Sequence, residues 1–200
     1  MATDDGLRAR KKRQTARRIE DAALDLFDRD GFEATTVEEI AAAADISPRT
    51  FFHYFATKDD VVLADYAERL TRVTEVLRGQ PRQISSWQAL MASFQAVAAD
   101  YEQERDALLR RFRIMASTES VFARSLQLQA GWEDAVADLL AARHDNSGEP
   151  PPARLLAASA VAAMRAALHH WVAAGARASL PAIVQDHFTR LGAGLDRPRR

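Results

Sequence analysis

Apolar residues recur at three- and four-residue steps through almost the whole chain, and nowhere alternate as a strand requires. Over 15–30, Ile19, Ala22, Ala23, Leu26 and Phe27 form one apolar face, and Gly31 supplies a stop. Thr36 with Glu39 is a capping pair that starts a compact helix at Val37, built on Ile40 and the run from Ala41 to Ala44. Asp45 and Ile46 interrupt it, with Ile46 expected inside. Ser47 is a good N-cap, and Pro48 sits where a missing N–H costs nothing, so a second helix is predicted over 48–55. Thr57, followed by Asp59 and Asp60, caps a fourth helix expected to run unbroken to Gly79, about 20 residues or roughly 30 Å.

Beyond Ser85 the helical pattern scarcely pauses. Helices are predicted over 86–105, 106–116, 119–143 and 153–175, with a loop at 146–152 and a last helix capped by Ser179 that ends near 192–194. The fold is therefore expected to be all-α with about nine helices. A three-helix helix-turn-helix domain (15–56) precedes a helix bundle (57–194), flanked by a disordered basic arm (1–14) and a tail (195–200).

The second helix of the pair carries chemistry suited to reading DNA. With Phe51 and Phe55 facing inward, Arg49, Thr50, Phe52, His53 and Tyr54 surround the exposed end. Arginine can bind guanine bidentately, and threonine or phenylalanine can meet a thymine methyl. His53, Tyr54 and Lys58 can reach phosphates. Thr36, Ser47 and Pro48 at the helix starts complete the candidate DNA-binding set. No acidic residue falls between Asp45 and Asp59, as a surface facing phosphates requires.

Charge sharpens this picture. The net charge of −1 hides a basic N-terminus, where seven Lys or Arg lie between Leu7 and Arg18 with no acid among them. That stretch reads as a solvated tail or as an arm that follows the DNA backbone or enters the adjacent minor groove. There is no cysteine, hence no disulfide, thiolate metal site or cysteine nucleophile. No apolar run approaches the roughly 18 residues that span a bilayer, and the N-terminus lacks the apolar core of a signal peptide. The cytoplasm is the expected compartment, with no membrane partner.

Two rival classes are a small all-α enzyme and a helix-turn-helix used for protein interaction. The five histidines (His53, His144, His169, His170 and His187) show no zinc-ligand spacing, and there is no glycine-rich phosphate loop or nucleophile elbow. No catalytic residue, metal or cofactor is expected. The basic arm and acid-free helix argue against the protein-interaction class.

The stretch FEATTVEEIAAAADISPRTFFHYFATKDDVV resembles the N-terminal domain of TetR-family transcriptional regulators. The resemblance rests on Thr36-x-x-Glu39-Ile40-Ala41, the Ser47 turn, Thr50-Phe51-Phe52-x-Tyr54-Phe55 and Thr57-Lys58, and covers about 45 residues. The family often has Tyr and His where this chain has Phe52 and Tyr54. The first change removes a hydroxyl, whereas Tyr54 can still donate to a phosphate.

In the bundle, Trp87, Met91, Phe94, Tyr101, Phe112, Met115, Phe122 and Trp132 read as ordinary core or as the lining of a pocket between helices. The family resemblance implies that this region binds a small effector. The segment from Arg110 to Arg143 also resembles the ligand domain of regulators for acyl-CoA-like ligands, including the mycofactocin-associated group. Arg110, Arg111 or Arg113 would then meet a thioester or phosphate-bearing head group. The candidate ligand set is Trp87, Met91, Phe94, Phe112, Arg113, Met115, Phe122 and Trp132.

Leu156, Ala160, Ala163, Ala167 and Trp171 recur at three- and four-residue steps, a face that packs either inside the chain or against a second copy. The resemblance implies the homodimer, hence two recognition helices and a near-palindromic operator in double-stranded DNA. The expected function is a regulator, most simply a repressor, that leaves its operator when an effector binds.

Overall fold

The computed structural model describes residues 2–143 and 152–194, without the side chains of residues 2–5 and Ala9. The expectations for the tail and for most of the 146–152 loop fall outside these residues. Among the described residues there are ten helices and no strand. They group into two compact units, one of Met1–Asp65 with Leu109–Ser125 and the other of Tyr66–Leu108 with Leu126–Arg200. The boundary expected at 56/57 divides the chain linearly, whereas these units interleave.

In the first unit, α1 (Ala2–Asp30) is helical well upstream of residue 15, through the segment expected to be a disordered arm. Ala, Leu, Arg, Lys and Gln are good helix formers, and extending an already folded helix needs no new nucleus. Ile19, Ala23, Leu26 and Phe27 are buried as predicted. Leu24 is buried too, between Glu20 and Asp28 on an i, i+4 row that a polar-looking sequence did not mark as an inner face.

The helix α2 (Val37–Ala43) starts at the Thr36–Glu39 capping box. Asp45 takes φ 52°, the left-handed conformation that Asp tolerates better than most residues, and so turns the chain. Ile46 is half-buried rather than interior. The helix α3 (Pro48–Tyr54) follows the Ser47 cap, with Phe55 as its C-cap.

The long helix expected over 57–79 is two: α4 (Lys58–Val62) and α5 (Asp65–Gly79). Val61, Val62 and Leu63 are all buried, at 0%, 1% and 5% exposure. A straight helix buries one stripe, and three successive residues cover about 200° of its circumference, so the chain bends to bury all three. Asp65 belongs to the first unit, and the rest of α5 to the second.

The second unit holds α6 (Ser86–Gln103), the first turn of α7 (Arg105–Ser117), most of α8 (Glu119–Arg143), α9 (Ala153–Ala173) and α10 (Leu180–Ala193). A run of aromatic rings leads from half-buried Trp87 through buried Phe188, Phe94 and Trp132 to half-buried Tyr66, with centroid separations of 4.8 Å (Trp87–Phe188), 5.7 Å (Phe188–Phe94), 6.4 Å (Phe94–Trp132) and 5.9 Å (Trp132–Tyr66). Ser179 makes no capping bond. The Glu102 carboxylate instead accepts from the Leu180 N–H at 2.6 Å and takes over that role.

By length and composition α9 could cross a membrane, contrary to the sequence reading, because its alanines separate few charges. Its buried residues, among them Val161, Met164 and Trp171, belong to the core of the bundle. The face expected at a dimer interface is likewise interior. Ala160, Ala163, Ala167 and Trp171 are 0–7% exposed within the single chain, and Leu156 is half-buried.

Candidate DNA-reading surface

The recognition helix is short, and what holds it is local. Ser47 Oγ accepts from the Thr50 N–H at 3.1 Å and shares a 2.9 Å hydrogen bond with the Thr50 hydroxyl. Phe51 is fully buried and Phe55 nearly so, with ring centroids 5.9 Å apart. Those two residues anchor one face and turn Pro48, Arg49, Phe52 and His53, all exposed, to the other. Tyr54 is half-buried, and its ring meets that of His53 edge-on at 5.5 Å.

Thr36 and Glu39 serve α2. The Glu39 carboxylate accepts from the Thr36 N–H and hydroxyl, each at 2.8 Å, and the backbone bond chiefly, then the hydroxyl, holds its pKa below the usual range. Lys58, expected at a phosphate, has partners within the fold. Its ammonium donates to the carbonyls of Phe32 (2.6 Å), Thr35 (3.2 Å) and Glu33 (3.3 Å). An ammonium has three protons, and all three have acceptors here, so Lys58 braces the 31–36 loop.

The arginines expected at an effector head group are also engaged elsewhere in the first unit. Arg111 pairs with Glu20 at 2.7 Å, and Arg110 with Asp25 and Asp28, each at 2.6 Å. Arg113, largely exposed, lies 3.7 Å from Asp28. Ser120 donates to Asp59 at 2.5 Å, and Arg124 pairs with Asp60 at 3.3 Å. Residues 109–125 are thus tied to α1 and α4. Alternating charges on both strips of helix were the available signal, but neither strip names its partner.

The eight candidate ligand residues divide evenly. Phe112, Arg113, Met115 and Phe122 lie in the first unit, and Trp87, Met91, Phe94 and Trp132 in the second. Of the latter, Trp87, Phe94 and Trp132 belong to the run of rings, and the Trp87 indole N–H donates to the Phe188 carbonyl at 2.9 Å.

A capped helix-turn-helix whose second helix offers Arg49 and His53 on an acid-free face, carried with a larger helical unit, defines a DNA-binding regulator. The chain belongs to the TetR family of bacterial regulatory proteins, whose N-terminal domain matches residues 19–64, and residues 84–196 match the MftR C-terminal domain. It is similar to MftR of Mycobacterium tuberculosis, named for regulation of mycofactocin biosynthesis, with 29% identity over 94% of each chain. It also resembles the helix-turn-helix transcriptional regulator TcmR of Streptomyces glaucescens, at 34% identity over 69% of this chain and 64% of that one. Among solved structures, Thermus thermophilus FadR, a TetR-family repressor in complex with lauroyl-CoA, shares the fold. Its TM-score is 0.60 at 24% identity, covering 92% of this chain and 97% of that one. The chain is therefore a transcriptional regulator with an all-helical TetR-like fold. Its relatives are regulators of transcription, and the family binds operator DNA, dimerises and takes small-molecule effectors.

Proposed function

We propose that this protein is a homodimeric repressor that binds a near-palindromic operator through α3 and leaves it when an acyl-CoA-like effector occupies the C-terminal bundle. The observation that carries the reading is the exposed Arg49–Phe52–His53 face, set on buried Phe51 and Phe55. In this reading Arg49 reads a base edge, the hydroxyls of Ser47 and Tyr54 serve phosphates, and the basic residues of α1 from Arg8 to Arg18 add backbone attraction.

Coupling to an effector is supported by residues 109–125, which belong to the C-terminal domain by sequence and to the helix-turn-helix unit by packing. The lauroyl-CoA bound to Thermus thermophilus FadR supports the effector class. An effector releases DNA only by favouring the non-binding conformation, because equal affinity for both shifts nothing. The dimer is assigned to the outward side of α9, where Leu155, Ala162 and Ala166 are exposed. A regulator that works on operator DNA acts in the cytoplasm, and we assign the protein there on that reading.

Selection from a random DNA pool, followed by fluorescence anisotropy, tests this. The expected result is a palindromic consensus, a steep salt dependence, release by long-chain acyl-CoAs, and a loss of about 1–3 kcal/mol at one base position per half-site for Arg49→Ala. Failure to enrich any sequence would overturn it.

A further inference from the structure

Phe52 is the exposed large apolar residue of α3, at 55% exposure. Its ring meets that of fully buried Phe51 edge-on, with centroids 5.5 Å apart and planes at 88°. Pro48 and Arg49, one turn earlier, are exposed on the same side. A phenyl ring neither donates nor accepts an ordinary hydrogen bond, so Phe52 cannot serve a phosphate or a polar base edge. Along the edges of base pairs in the major groove, the one apolar group is the C5-methyl of thymine.

We infer that Phe52 is a specificity-determining residue that packs on a thymine methyl in each operator half-site. This rests on the DNA-reading function proposed above and names what the site requires of its DNA. Three helical residues advance about 4.5 Å and base pairs are about 3.4 Å apart, so this thymine lies one or two base pairs from the position read by Arg49.

The test replaces each thymine of the selected operator in turn by deoxyuridine, which keeps pairing and the O4 acceptor and removes only the methyl. Wild-type protein should lose about fourfold in affinity at one thymine per half-site, the size expected for withdrawing one methyl from apolar contact. Phe52→Ala should bind the intact operator more weakly, with an unchanged salt slope, and be indifferent to that deoxyuridine. Phe52→Leu, which keeps an apolar side chain at a position that does not build the core, should retain part of the sensitivity and controls for folding. If no thymine is sensitive in wild type while selection still gives an operator, the inference falls and the regulator reading stands. Equal sensitivity in Phe52→Ala would assign the methyl to another residue and also overturn it. If no operator emerges, both fall.

Discussion

The Lys58 ammonium donates to the Phe32 carbonyl at 2.6 Å while lying 4.4 Å from the centroid of the same residue's ring. One residue at the start of α4 thus closes the chain back on the end of α1, across the whole helix-turn-helix. The carbonyls it gathers follow the C-terminal end of α1, where the helix dipole already favours a cation.

Lys58→Met should leave those carbonyls short of donors and destabilise the protein by about 1–3 kcal/mol. Operator affinity should fall with the salt slope unchanged, because no phosphate contact is lost. Lys58→Arg, whose planar fork cannot point at three converging acceptors, should recover only part of the stability. A phosphate ligand would behave in the opposite way, with stability retained and the slope of log K against log salt reduced by about one. Urea melts and salt titrations of both variants separate the two.

Glu20 gives the fold a dependence on pH. Its pKa is pushed up to about 7 from 4.5, chiefly by burial; Arg111 draws it back, and the neighbouring Asp65 and Asp21 push it further up. The 2.7 Å pair with Arg111 does not replace the lost hydration. An acid whose pKa is raised by folding stabilises the fold fully below its unfolded pKa, and that contribution is lost as pH rises through the folded one. From this group, stability should therefore fall between about pH 4.5 and 7, by up to about 3 kcal/mol. Glu20→Gln should flatten that segment of the stability profile in urea melts at stepped pH. A profile unchanged by the substitution would remove Glu20 as its source.

Gly192 is fixed by what lies against it. A Cβ there would stand 2.6 Å from Trp87 Nε1 and 2.9 Å from its Cδ1. Gly192→Ala should push the indole off its bond to the Phe188 carbonyl and off the Phe188 ring, costing about 1–3 kcal/mol. Near-UV circular dichroism and a melt should change together. A native spectrum with an unchanged melt would show that α10 yields instead.

Where the sequence names both partners, it was legible. Thr36 with Glu39 and Ser47 with Pro48 announce α2 and α3, and both capping bonds are present. The inward Phe51 and Phe55 and the outward Phe52 also follow from spacing alone. Partners far apart along the chain were not legible. Arg111 and Glu20 are 91 residues apart, and each in isolation is an ordinary charge on a helix face. The bend at Leu63 has no Gly or Pro to announce it, since tertiary burial of three successive residues produces it. Glu102 caps a helix 78 residues away, where Ser179 looked sufficient.

The same limit explains the dimer face, and there an experiment decides. Alanine lies on both sides of α9: Ala160, Ala163 and Ala167 are buried, and Ala162 and Ala166 are exposed. Periodicity of small residues therefore offers no contrast between inside and outside. Because Ala160 is fully enclosed by its own chain, Ala160→Leu should overpack the bundle and cost about 1–3 kcal/mol while leaving the assembly dimeric. Ala166→Arg should place a charge and a long side chain where two helices need close approach. Light scattering should then report a monomer, and operator affinity should collapse because two half-sites can no longer be held at once. A dimer that survives Ala166→Arg with its affinity intact would move the interface off this side of α9.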